Sequence, residues 1–220
     1  MATSQTARDK LLNAALAVIR EKGFSATTVD DLCARAGVSK GAFFHYFSSK
    51  EAVGVAAAEH WSAVTGALFA QAAYHAHERP LDRVLGYIRF RRELLRGTVP
   101  EFTCLVGTMV QEAYDLSPAI RDACAASIFG HADTLVADIA AAMAQCRVPP
   151  TVTAESLATH TQAVLQGAFI LAKARDDVAV AIDSVDHLER YVALLFSQAP
   201  GPHPSARDGH NHHPEDEGQP

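Results

Sequence analysis

Few features of this 220-residue sequence interrupt a helical reading. No convincing strand pattern and no internal repeat occurs, and no apolar run approaches the 18 or more uncharged residues a membrane-spanning helix requires. The opening residues, MATSQTARDK, lack the apolar stretch of a secretory signal, which predicts a cytoplasmic protein with no membrane partner. The cysteines, Cys33, Cys104, Cys124 and Cys146, are spaced too widely for a CxxC metal or redox motif, and in a reducing compartment disulfides are not expected. A phosphate-cradling glycine loop and a metal quartet are also missing, and the spacings assemble no nucleophile, base and orienting group. No cofactor, metal site or catalytic residue is therefore assigned. Charge is sparse as well: charged residues make up 20%, and the net charge of −6 argues against a general nucleic-acid binder.

What remains is a globular, helix-forming composition, 49% hydrophobic, in a chain long enough for one or two domains. Its charge is unevenly placed. Residues 1–50 hold seven Lys or Arg against four Asp or Glu, about +3, which leaves −9 for the other 170 residues. A small basic module is joined to an acidic body. Because phosphate attraction acts over a Debye length of about 8 Å, the basic module can engage DNA despite the acidic remainder.

Helical spacing and end signals divide the chain further. Leu12, Ala15, Leu16 and Ile19 line one face of a helix over Ala7–Lys22 that Gly23 stops. Ser48 to Glu51 has the Ser-x-x-Glu form of a capping box and predicts a long helix to about His77. Pro80 opens a helix that runs until Gly97. Phe102 to Tyr114 reads as another, Ser117-Pro118 starts one toward Cys146, and two more span roughly Ala154 to Arg175 and Val185 to Ser197. From Ala199 onward Pro, Gly, His and acidic residues predict a disordered tail, in which His210, His212 and His213 lack a Cys partner and read as solvated.

The stretch from Thr27 to Lys50 carries the functional signal. Thr28 can cap a helix whose third residue, Asp31, sits at the positive end of its dipole. Leu32, Ala36 and Val38 give an apolar seam, Gly37 supplies a left-handed residue for a sharp turn, and Ser39 caps a second helix over Lys40–Tyr46. Two short helices joined by a tight turn form either an ordinary helical hairpin or a helix-turn-helix, whose second helix lies in the DNA major groove. Lys40 can donate to a guanine edge or a phosphate. Gly41 and Ala42 let the backbone approach the bases, with the Ala42 methyl suited to a thymine methyl. His45 and Tyr46 can donate to phosphates and Lys50 can pair with one. Phe43 and Phe47 are expected to pack beneath the helix, Phe43 with partial exposure, and Cys33 to fill the core.

Thr27-Thr28, Ala36-Gly37-Val38-Ser39, Gly41, Tyr46-Phe47 and Lys50-Glu51, followed by an all-helical remainder, resemble the TetR family of bacterial transcriptional regulators. The resemblance is densest over residues 8–54; beyond them it rests on helix number and segments such as Leu165 to Ala174. It implies an all-α protein with a three-helix helix-turn-helix domain (1–50), a helical ligand-binding and dimerisation domain (51–198) and the tail (199–220). It also implies a DNA surface of Thr28, Ser39, Lys40, Gly41, Ala42, Phe44, His45, Tyr46 and Lys50. At Phe44 the family pattern usually has Tyr, so a hydroxyl contact is absent there.

An effector would enter between helices of the body, with Trp61, Phe69, Tyr87, Phe90, Phe102, Cys104, Met109, Tyr114 and Phe129 as candidate liners and His60, His75 and Arg91 as candidate polar groups. The segment FTCLVGTMVQEAYDLSPAIR resembles a branch of the family with Cys-Leu-x-Gly, some of whose members respond to electrophiles through cysteine, which makes Cys104 a candidate sensor against the default of a structural thiol. The resemblance implies a homodimer through 154–175 and 185–197, with Gly167 and Ala168 allowing close approach, that binds a palindromic double-stranded operator and is released by a small molecule, most simply as a repressor. Two other readings remain: a helical small-molecule binder whose hairpin does not read DNA, and a helical-bundle enzyme using Cys104 or His160.

Overall fold

The computed structural model describes residues 5–146, 148–149 and 151–197, so the expected tail lies outside the described residues. The described chain is all-helical: α1 (Ala7–Lys22), α2 (Val29–Ala36), α3 (Lys40–Tyr46), α4 (Lys50–Ala70), a 3₁₀ turn (Ala73–Ala76), α5 (Pro80–Glu93), α6 (Val99–Phe102), α7 (Leu105–Ala113), α8 (Pro118–Gln145), α9 (Ala154–Arg175) and α10 (Val178–Phe196).

The hairpin is set by local chemistry. Thr28 Oγ1 accepts from the Asp31 amide at 3.1 Å, and the Asp31 carboxylate accepts from the Thr28 amide at 2.7 Å, so α2 starts with two otherwise orphaned donors satisfied. Gly37 ends the helix at φ 65°, ψ 39°, a left-handed conformation in which a Cβ would be strained. Ser39 Oγ then accepts from the Ala42 amide at 3.1 Å and starts α3.

Five boundaries differ from expectation, the simplest being that α5 ends at Glu93 rather than at Gly97. The cap of α4 is Ser49, whose side chain accepts from the Ala52 amide, rather than Ser48. The same helix stops at Ala70 instead of His77, because the 3₁₀ turn that follows buries Tyr74 edge-on against Tyr87, 5.9 Å between ring centroids. The helix expected over Phe102–Tyr114 is broken: Thr98 and Glu101 form a capping box that starts α6 at Val99, Thr103 and Cys104 are extended, and the Cys104 thiol accepts from the Gly107 amide at 3.4 Å to start α7. Finally, α10 begins at Val178 rather than Val185, since Asp176 turns the chain at φ 52° and the Asp177 carboxylate accepts from the Ala179 amide.

Two apolar cores are built from these helices. One joins α1–α3 to the start of α4, α7 and the start of α8 through Leu11, Ile19, Leu32, Phe43, Val53, Leu105, Met109 and Ile120. The other joins the end of α4 to α5, α8, α9 and α10 through Phe69, Tyr87, Ile88, Ile139, Leu165 and Val185. Because α4 and α8 contribute to both, the two cores are linked by continuous helices.

Candidate nucleic-acid interface and ligand cavity

On α3, Phe43 is fully buried and Phe47 nearly so, 5.8 Å between ring centroids, which rotates Lys40, Gly41, Phe44, His45 and Tyr46 outward. The partial exposure expected of Phe43 is thereby corrected, while Cys33 is core as expected. Thr28 and Ser39 are exposed beside them, and Ala42 and Lys50 are half-buried. Phe44 and Tyr46 are 57% and 41% exposed, a large apolar outlay that a free surface does not repay.

The basic bias of this module is partly neutralised within it. Arg35 makes a two-bonded pair with Glu21 at 2.9 and 2.6 Å, and Lys22 meets Asp31. Lys40 meets Asp30 at 2.7 Å, and that hydrogen bond raises the lysine's pKa. Both partners are largely exposed, so this pair holds little net energy and Lys40 is free to exchange Asp30 for a phosphate. The Lys50 ammonium donates to the Ser25 carbonyl at 2.9 Å and sits 4.6 Å from the centroid of Phe24, and burial there lowers its pKa. It therefore braces the loop before α2 as well as carrying charge.

Within the body, a cavity of about 50 Å³ is lined by Trp61, Phe69, Phe102 and Cys104 from the expected set, by Arg91, and by Thr65, Val106, Ser127, Ile128, His131, Gln162, Gln166 and Phe169. The remaining candidates lie elsewhere. Tyr87 is buried behind the lining, Phe90 packs edge-on to Phe69, Met109 is in the core under the hairpin, and Tyr114 and Phe129 are 61% and 54% exposed. His60 bonds Asn13, and His75 bonds the Phe69 carbonyl. His160 is exposed on α9 and packs edge-on to Tyr191.

The lining residues absent from the expected set had a faint signal. Gln162 and Gln166 stand four apart in the otherwise apolar inner stripe of α9, as do Ser127 and His131 on α8. A wider cleft of about 180 Å³ shares Cys104, Gln166 and Phe169 with the cavity and adds Gly107, Thr108, Glu112 and Lys173. Gly107 lets the Gln166 amide lie close against α7: a Cβ there would meet Gln166 Oε1 at 2.0 Å unless that side chain moved. Beside this wall Thr103 is fully buried, and its hydroxyl has no hydrogen-bond partner among the described residues. Thr103→Val should raise stability by about 1 kcal/mol, or roughly 2–4 °C in a thermal melt, by removing an unsatisfied polar group; a comparable drop would mean the hydroxyl is bonded in solution.

The end of α7 reaches the hairpin. The Ser25 amide donates to Glu112 at 2.6 Å, Arg20 donates to the Glu101 carbonyl at 3.0 Å and its guanidinium lies over the Trp61 ring, and Ser117 bonds Glu51.

Residues 11–57 match the family described as bacterial regulatory proteins, tetR family, and residues 80–183 match the transcriptional regulator LmrA/YxaF-like, C-terminal domain. The chain belongs to the TetR family. Similar relatives include the transcriptional regulator AcuR of Cereibacter sphaeroides, 33% identical over 53% of this chain and 53% of that protein. The HTH-type transcriptional repressor NemR of Escherichia coli K12 is 31% identical over 55% of this chain and 61% of its own. The chain thus matches little more than half the length of these curated relatives. A TetR-family regulator from Agrobacterium tumefaciens superposes with a TM-score of 0.74 over 85% of this chain and 97% of that one at 21% identity, which shows that the fold is shared. Among the described residues of this TetR-family chain no helix is long and apolar enough to cross a membrane, and no group of three or more His, Cys, Asp or Glu is arranged to hold a metal.

Proposed function

We propose that this chain is a ligand-responsive, dimeric DNA-binding regulator, most simply a repressor that occupies a palindromic operator in the cytoplasm and is released by a small molecule. Residues 1–50 read the operator through Thr28, Ser39, Lys40, Gly41, Ala42, Phe44, His45, Tyr46 and Lys50. Residues 51–198 bind the effector and the second subunit. The observation that carries the reading is the path of α7: it starts at the cavity wall with Cys104 and ends with Glu112 on the Ser25 amide, in the loop just before α2. A ligand that repositions the start of α7 therefore alters the seat of the reading helices, and a difference of 1–3 kcal/mol in its affinity for two such states is enough for regulation.

Dimerisation through 154–175 and 185–197 is supported by the large apolar residues that α9 and α10 leave exposed, Ile170 and Leu171 on the first and Tyr191 and Leu194 on the second. A Cβ at Gly167 would meet nothing within 4 Å, so this face is open, whereas Ala168 points into the core and belongs to the subunit's own packing. A two-fold pair places its reading helices about 34–36 Å apart, one DNA turn.

The purified protein, mixed with sheared genomic DNA at low salt, should enrich fragments that share one palindrome. Its affinity for that palindrome should fall steeply with salt as Lys40, Lys50 and their symmetry mates release counterions. If no fragment is enriched, DNA reading is wrong and a small-molecule binder without an operator becomes the better description.

A further inference from the structure

Four arginines occupy α5. Arg83, Arg89 and Arg92 each meet a carboxylate on a neighbouring helix, Asp138, Glu189 and Asp186 respectively, at 2.6–2.7 Å. Arg91 differs. It lines the cavity, has no carboxylate partner among the described residues, and no Asp or Glu is in the lining.

The surrounding hydrogen bonds fix the charge of the site. The Tyr87 hydroxyl accepts from Arg91 Nε at 2.9 Å and from Gln162 Nε2 at 3.0 Å, which uses both lone pairs. Its own proton then goes to His131 Nε2, 3.0 Å away, so His131 is neutral with its proton on Nδ1. Burial, with Arg91 adding to it, pushes His131 down to about 3, which agrees. One unneutralised positive charge is left in the cavity.

The guanidinium that carries this charge is held over Phe69 at 4.3 Å from the ring centroid, while its Nη groups have no protein acceptor among the described residues and neither is sealed off from accessible space. Such a planar fork, held in place through Nε and stacked on a ring, is organised for two parallel bonds to a carboxylate. The same lining contributes apolar surface from Phe102, Phe169 and Ile128.

We propose that the cavity binds a small aliphatic monocarboxylate, its carboxylate on Arg91 and its carbon chain against the phenylalanines. A cavity of about 50 Å³ corresponds to roughly three to five water positions, which limits the ligand to a short-chain acid. A dianion would leave one charge unmatched, since Arg91 is the one charged side chain among the lining residues. The proposal rests on the reading of this cavity as the effector site.

Calorimetric titration of the full chain with propionate, butyrate and isobutyrate, set against butyramide and sulfate, tests it. At least one carboxylate should bind, with butyramide and sulfate at least tenfold weaker. Arg91→Gln should weaken carboxylate binding by about 100-fold, Arg91→Lys should restore part of it, and Arg92→Gln, whose charge is paired away from the cavity, should leave it unchanged; circular dichroism establishes that each variant folds. No carboxylate binding, equal binding of the amide or sulfate, or indifference to both Arg91 substitutions overturns the proposal. Fragment selection separates the two claims. DNA enriched without carboxylate binding removes the ligand class alone, and carboxylate bound through Arg91 with no DNA enriched removes the regulator alone.

Discussion

Phe43→Ala should lower stability by about 3–5 kcal/mol and abolish operator binding, although Phe43 touches no DNA in the proposed mechanism. The ring is fully buried, packs on Phe44 and Phe47, and belongs to the core that includes Leu12, Leu32 and Leu11. It is the principal anchor of α3. A seven-residue helix is too short to persist alone, since helices under about 12–15 residues are marginal in water even with favourable sequences. Deleting the ring leaves a cavity that α2 and α3 cannot fill without moving, because both are pinned by caps at Thr28 and Ser39. A shift in the urea midpoint together with lost retention on operator DNA is the expected pair of results. Phe43→Leu should keep part of both. An unchanged midpoint would mean that α3 is held from elsewhere.

That anchor shows why the hairpin was legible in the sequence and the cavity only partly so. Helix ends are decided by neighbours within four residues, so Thr28 with Asp31, Gly37 and Ser39 specified α2 and α3 to the residue. Where local signals compete, the reading slipped. Ser48 and Ser49 both offer caps, and only the geometry of α4 selects Ser49. Asp177 caps α10 eight residues ahead of Val185, where the apolar stripe placed its start.

The cavity depends on contacts far apart in sequence. Its lining joins α4, α5, α6, α7, α8 and α9, and an aromatic residue has no local feature that tells wall from core. Trp61, Phe69 and Phe102 reached the wall; Tyr87 and Met109, of similar character, did not. Arg91 was recognisable as polar within an amphipathic helix, but three other arginines share that helix, and only their distant partners distinguish it.

Leu194→Glu should convert the proposed dimer to a monomer at micromolar concentration while leaving each subunit folded. Leu194 is 68% exposed, so in the isolated subunit the substitution removes almost no packing, and surface changes of this kind cost within about 0.5 kcal/mol. In a two-fold interface the same change occurs twice and would bring two carboxylates into the contact at the Tyr191 end of α10. A buried charge left without a partner costs about 3–5 kcal/mol, so the subunit dissociation constant should rise by at least about a hundredfold. A sizing column should report the monomer mass with an unchanged helical circular dichroism spectrum. Operator affinity should fall with it, because each half-site would then be bound without the other. A variant that still elutes as a dimer would place the interface off this face, and would leave Leu194 as an exposed apolar residue with no role in assembly.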